Sequence, residues 1–307
     1  MSTAAINPKG PRVYAPGNTP AAWAGTYLTS TVGQKVLVGA TGLLLVGFLV
    51  FHMIGNLKVL PGFDPVSEEA TKRATERAAQ KYTAEPDLRQ RYATADAYAA
   101  WYVPEHVRAF EAQEHINKYA AFLKYDLGAL IWIARGGLLA LFVTHLVVAV
   151  RLRLKARDAR PVGYASHRTA QASTAAKTML WTGVVVLLFA VFHLAHYTFG
   201  VVKEAQTPAG PVAYMSLHDA DGRHDVYSMV VAGFTTPWVC VIYILSQALL
   251  LVHLSHGIQS SLQTLGLVGK RFTPAAKWVG WGVASAIFAG NMVIVMGVWL
   301  GWAKPVI

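Results

Sequence analysis

Six of the chain's eleven histidines, His52, His145, His193, His196, His253 and His256, fall within long apolar runs. An ionisable side chain costs free energy in hydrocarbon, so each of these imidazoles is expected to bind something or to have a defined partner. Any one of them alone reads most simply as a satisfied packing residue. Four separate runs that each supply at least one read differently, because cofactor sites in helical bundles are built from side chains on facing helices. Imidazoles paired across such a bundle are the axial donors of a haem.

Depth sorts the histidines into two levels. His52 comes 17 positions after Lys35 and His193 comes 16 after Lys177, so at about 1.5 Å per residue both lie about 25 Å from those lysines. His145 comes six positions before Arg151 and 19 after Asp126, and His256 comes 19 after Pro237. Two stacked haems separated by roughly 15 Å in level then take His52 with His193 and His145 with His256. His196, one turn beyond His193, would stand about 4 Å off its partner's level. His253, almost one turn before His256, keeps the choice on its helix open. Met53, Met292 and Met296 could serve as axial ligands, since Met/His ligation occurs in cytochromes, but methionine is common filler in apolar cores. Arg135 is the strongest candidate partner for a propionate of the outer haem. Lys35 and Lys177 read more simply as helix-end lysines that snorkel.

The elements that must hold these residues are membrane-spanning helices. The chain has 307 residues, 14% of them charged, and a mean hydropathy of +0.37. That is too apolar for a soluble domain of this size. Five stretches reach the roughly 20 apolar residues that a span requires: Val36–Leu60, Leu127–Val150, Thr178–Val201, Phe234–Leu254 with an extension, and Trp278–Trp302. The net charge of +11 is concentrated in short links rather than on one soluble face, which argues against nucleic acid and for a topology signal. The second link carries Arg151, Arg153, Lys155, Arg157, Arg160, Arg168 and Lys177, and the fourth carries Lys270, Arg271 and Lys277. By the positive-inside rule both are cytoplasmic, with the N-terminus inside and the C-terminus outside.

The expected fold is therefore all-α and integral to a membrane: five transmembrane helices in an up-down bundle enclosing two stacked haems. Residues 1–30 form a cytoplasmic N-terminal tail, and residues 31–303 form the membrane domain with an outer-face insert, 61–126. Within the insert, Pro104 reads as a helix start. Asp219, Asp221 and Asp225 around Gly222 lack the glutamate of a calcium loop and read as a turn. The single cysteine, Cys240, cannot supply the thiolate set of an iron–sulfur cluster, so any cluster belongs to a partner chain. No internal repeat, phosphate loop or nucleophile motif is evident. Gly25, Gly33, Gly39 and Gly42 read as close approaches of helices or of a cofactor.

Ala40-Thr41-Gly42 followed by His52-Met53, the helix ending around His145, Thr182-Gly183 followed by His193-Leu194, and His256-Gly257 form an ordered set. In that order they resemble the single-chain, five-helix, di-haem cytochrome b of succinate:menaquinone and quinol:fumarate oxidoreductases, over roughly residues 30–300. The resemblance implies two haem b held by His52, His145, His193 and His256. It also implies a flavoprotein partner carrying FAD and the dicarboxylate site, and an iron–sulfur partner on the inner face of a bacterial cytoplasmic membrane. Electrons would run from succinate through those subunits to menaquinone. Some quinol:fumarate reductases of this type carry a glutamate two positions before the fourth-helix ligand; here that position is Leu254, which favours succinate oxidation. Glu114, His115 and Asp126 are the candidates for proton exchange with quinone. Two other readings share the histidines: the cytochrome b subunit of a hydrogenase or formate dehydrogenase, and a non-redox transporter using histidine as a relay.

Overall fold

The computed structural model describes residues 19–62, 65–159 and 174–306. Arg160 and Arg168 of the basic link, and most of the 1–30 tail, lie outside the described residues. The described part of the tail is helical: α1 (Pro20–Thr29) is capped by the Thr19 side chain, and Ser30 both ends it and caps α2 (Thr31–Asn56). The remaining long apolar helices are α6 (Ala129–Asp158), α7 (Thr174–His193), α9 (Pro237–Thr264) and α10 (Thr273–Trp299). With the short turns that extend α2 and α7, these are five helices long and apolar enough to cross a bilayer among the described residues. Their outer faces expose Phe51, Trp181, Leu188, Val191, Leu245 and Trp278, which suits helices solvated by lipid rather than by water. The chain is a multi-pass membrane protein.

Side-chain neighbours fix the direction of each helix. Lys155 near the end of α6 donates to the Thr29 carbonyl just before α2 at 2.8 Å, and His145 midway along α6 meets Val38 and Thr41 in the first half of α2. A Cβ on Gly183 early in α7 would touch His253 late in α9, and one on Gly280 early in α10 would meet the Ser255 carbonyl at 2.5 Å. Gly290 and Gly297, late in α10, face Met53 and Leu60 at the end of α2. Helices α2, α7 and α10 therefore run one way and α6 and α9 the other, an up-down arrangement with one end basic and the other covered by a cap.

The cap is built from the insert. It comprises α3 (Glu68–Ala84), α4 (Pro86–Arg91) and α5 (Ala95–Ala121). Ala70, Ala74 and Ala78 are fully buried, a stripe of small residues at four-residue spacing that lets α3 lie close against α5. The helix expected to begin at Pro104 begins at Ala95, where the Thr94 hydroxyl accepts from the Ala97 amide at 3.1 Å. This cap determines the start, and Pro104 sits within the helix, where its missing N–H leaves one carbonyl of the preceding turn without its usual partner.

The all-α expectation holds except for one hairpin, β1 (Glu204–Thr207) with β2 (Gly210–Ala213), which precedes α8 (Val226–Phe234). The aspartate cluster behind it is a turn, as expected. Asp219 accepts from the backbone of Asp221 and Arg223 at 3.0 and 2.9 Å, and Gly222 takes a φ of +75° that a side chain would strain. Asn117 of α5 is completely buried; it donates to Asp219 and Asp225 and accepts from the Tyr227 amide, each at 3.1 Å. Those bonds fasten the insert to the 217–227 segment and match both the donor and the acceptor of the buried Asn117 amide.

Candidate histidine sites

At the level nearer the cap, His52 on α2 faces His193 on α7 with ring centroids 5.7 Å apart and the planes nearly perpendicular, at 87°. Imidazole–metal bonds of about 2 Å on each side of one ion would put the two centroids about 6 Å apart. The spacing fits two axial ligands of one haem. Both rings are flanked by aromatics, Phe48 on His52 and Phe189 on His193. The His193 Nδ1 lies 3.1 Å from the Tyr243 hydroxyl, so its free nitrogen is Nε2.

Nearer the basic end, His145 sits against the start of α2. Its Nδ1 is 3.2 Å from the Val38 carbonyl and 3.3 Å from the Thr41 hydroxyl. The Thr41 proton is already engaged at 2.8 Å by the Leu37 carbonyl of its own helix. Val38 and Thr41 can therefore only accept from His145, which fixes the proton on Nδ1 and leaves the Nε2 lone pair for a metal. Gly42 makes room for the ring: a Cβ there would stand 3.1 Å from His145 Cε1.

The same device recurs on α7. The Thr182 hydroxyl donates to the Thr178 or Met179 carbonyl at 3.2 or 3.1 Å and accepts from His253 Nδ1 at 3.1 Å, while a Cβ on Gly183 would stand 3.4 Å from His253 Cε1. Thr41-Gly42 receives a histidine from α6 and Thr182-Gly183 receives one from α9. His52 and His193 each follow their Thr-Gly pair by 11 residues, about 16 Å of helix rise. The two halves of the bundle thus repeat one pattern, and the fixed Thr-Gly to His interval is the sequence signal that a search for longer repeats overlooks.

On α9 it is His253, rather than His256, whose seat on Thr182-Gly183 matches that of His145 on Thr41-Gly42. Helix α6 starts at Ala129 and α9 at Pro237, so His145 and His253 both stand 16 residues after the first residue of their helices. Counting from Asp126 lengthened the first interval, because Phe122–Asp126 forms a separate π-helical turn before α6. His256, one turn on, is half-buried.

No family model, curated protein or solved structure matches this chain. Among the described residues no three or more His, Cys, Asp or Glu side chains gather as a metal site. A haem asks less of the protein, since the macrocycle supplies four donors and only two axial ligands are needed.

Arg135 is exposed on α6 with its guanidinium 5.0 Å from the centroid of the Trp132 ring. It lies ten residues from His145 towards the cap, about 15 Å, which puts it level with His52 and His193. Met53 and Met292 pack with the apolar core, while Met296 is exposed.

The quinone candidates separate. Asp126 is exposed beside α6, and Glu114 is buried in an ion pair with Lys118 at 2.5 Å, with the Ser67 hydroxyl donating to it at 3.2 Å. His115 alone reaches a cavity, of about 210 Å³, lined also by Ile54, Leu57, Lys58, Leu60 and Glu111. His115 Nε2 lies 2.8 Å from the buried Glu111 carboxylate. Glu111 and Lys58 were not singled out in the sequence. The i,i+4 spacing of Glu111 and His115 was the available signal for the first, and Lys58 carried none.

Proposed function

We propose that the chain is the haem-bearing membrane anchor of a succinate dehydrogenase, passing electrons from an iron–sulfur subunit to menaquinone by way of two haem b. The observation that carries this reading is the His52–His193 pair, with centroids 5.7 Å apart; His145 and His253, each seated on a Thr-Gly pair 11 residues before one of those histidines, support a second level about 16 Å away. His52 and His193 hold the group nearer the cap, and His145 and His253 hold the other; His253 takes the role that the family resemblance gave to His256. Each group would supply one-electron transfer at a potential tuned by its axial ligands and their hydrogen bonds. The protein orients those ligands through Thr41, Thr182 and Tyr243, and Arg135 is level with the outer group as a counter-charge for its propionates.

The cap cavity is the proposed quinone site. Ile54 and Leu57 stand two and five residues beyond His52, about 3 and 8 Å along the helix, so a ring held there lies beside the outer group. His115, paired with Glu111, is positioned to exchange a proton with a ring oxygen. The positive-inside rule orients the basic end towards the cytoplasm and the cap outward. The basic end would then receive the iron–sulfur and flavoprotein subunits, a charge arrangement that suits electrostatic docking. The purified chain is expected to give a reduced-minus-oxidised spectrum of b-type haem with two haems per chain and to copurify with a flavoprotein and an iron–sulfur protein. A haem-free chain would sink the redox reading, and copurification with hydrogenase or formate dehydrogenase subunits would replace the partner.

A further inference from the structure

The hydroxyl of Tyr243, on α9, touches two imidazoles through the same ring atom. It lies 3.1 Å from Nδ1 of His193 and 3.2 Å from Nδ1 of His196, one turn apart on the α7 span. Tyr243 and His196 are buried, so neither contact can be exchanged for bulk water. A phenol has one proton, so at most one imidazole accepts from it, and the buried phenol uses both its proton and its lone pair when the other imidazole donates to it. That fully matched arrangement puts the two histidines in opposite tautomers. The one that donates through Nδ1 has a bare Nε2, which is the ligating form, and the one that accepts carries its proton on Nε2 and cannot ligate in that form.

His193 is the donor, because its ring is the one set against His52 at 5.7 Å. The tyrosine proton then goes to His196, whose Nε2–H has no hydrogen-bond partner among the described residues. His196 is stacked on Tyr197 with centroids 4.0 Å apart and tilted against Tyr214 at 5.8 Å, an orientation in which its only hydrogen bond among the described residues is the one to Tyr243. The π-helical turn Leu194–Thr198 follows His193 directly and carries His196. Such turns widen the helix and often mark functional positions.

We infer that Tyr243 is a tautomer selector: it dedicates His193 to axial ligation, holds His196 out of it, and tunes the outer group through the hydrogen bond on His193 Nδ1. Tyr243 is a positioning residue and touches no reacting atom. The inference rests on the haem reading of His52 and His193. It also explains why two histidines one turn apart on the same span do not compete, and why the outer pair differs from the inner pair, whose Nδ1 atoms rest on threonines and a carbonyl.

The test uses the full-length chain and reads the ferric electron paramagnetic resonance signals and midpoint potentials of each haem. Tyr243→Phe keeps the ring that packs on Phe189 and Phe234 and removes only the hydroxyl. The outer-haem signal is expected to split into two low-spin species as His196 begins to compete, and its potential to rise, because an acceptor on Nδ1 makes the ligand more basic. The inner haem is expected to stay unchanged. Adding His196→Asn to Tyr243→Phe should restore a single outer-haem species at the raised potential. His196→Asn alone, which keeps an acceptor near the Tyr243 proton, should retain the outer haem with one signal. Wild-type haem together with a single, unshifted outer signal in Tyr243→Phe overturns the selector alone, as does loss of the outer haem in His196→Asn. A wild-type chain without haem overturns the haem reading and the selector with it.

Discussion

The Thr182 hydroxyl gives its proton to a carbonyl of its own helix and accepts, at 3.1 Å, from Nδ1 of His253 on α9. That direction of donation makes the threonine a tautomer clamp, and it leads to a prediction that volume alone would not. Thr182→Val, nearly the same size but without the acceptor, should weaken haem retention at the inner site by about 10- to 100-fold, the usual cost of losing an outer-shell partner. Thr182→Ser should behave as wild type. Haem content after dialysis against a haem-scavenging apoprotein measures both, and equal retention in the valine and serine variants would remove the clamp.

Ligand pairing is checked by haem stoichiometry. His52→Ala and His193→Ala should each abolish the same haem, and His145→Ala and His253→Ala the other, leaving one reducible haem in every case. His256→Ala should keep both. Loss of the inner haem in the His256 variant, with retention in the His253 variant, would return the role to His256.

How much of this was legible before the structure differs from one residue to the next. The five spans, the up-down order and the His52–His193 pair followed from apolar run length and from helix rise, both of which are properties of the chain alone. The proposed preference for His253 over His256 was not legible, because it depends on where α6 begins; a π turn shifts that point by three residues, which the apolar pattern does not mark. Pro104 misled for a related reason. Proline is common in a helix's first turn, so a proline before an apolar stripe suggests a start, whereas the Thr94 cap ten residues earlier had already begun the helix. The His115–Glu111 cavity depends on α5 lying across the end of α2, a tertiary relation that no local pattern encodes.

Helix α10 crosses α9 where a Cβ on Gly280 would come to 2.5 Å from the Ser255 carbonyl, a backbone atom that cannot turn aside. Gly280→Ala should therefore force the helices apart and destabilise the bundle by about 1–3 kcal/mol, the range of overpacking in a tight interior. Gly282→Ala, with nothing within 4 Å of its Cβ, is the matched control and should cost nothing measurable. Thermal unfolding in detergent compares the two, and equal midpoints would show that the crossing has slack.

The cap should loosen in acid. Burial alone would raise the Glu114 carboxyl, but hydrogen bonding and charge from Lys118, with help from Ser67, hold it below its ordinary value, and Arg73 does the same for Asp221. A carboxylate whose folded value is depressed contributes stability that is present above its unfolded value, 4.5 for glutamate and 3.8 for aspartate, and is lost as pH falls through the folded value. Amide exchange in α3 and α5 should speed up as pH drops below about 4.5, after correction for the intrinsic pH dependence of exchange. Glu114→Gln should flatten part of that dependence. Protection that stays constant down to pH 3 in the wild type would mean that these pairs do not hold the cap.

The cavity prediction separates quinone access from haem assembly. Ile54 lines the cavity from the exposed side of α2, so Ile54→Trp can fill it without entering the packed core. It should leave two haems with unaltered spectra while lowering the rate at which a menaquinol analogue reduces them by at least tenfold. His115→Gln should lower the same rate and leave the analogue's affinity nearly unchanged, because the ring would still be held by Ile54, Leu57 and Leu60 while the proton acceptor is gone. The two variants thus load different constants, one on binding and one on proton exchange. If Ile54→Trp left reduction at the wild-type rate, the quinone would have to reach the outer group from another side of the bundle, and the Glu111–His115 pair would revert to a structural ion pair of the cap.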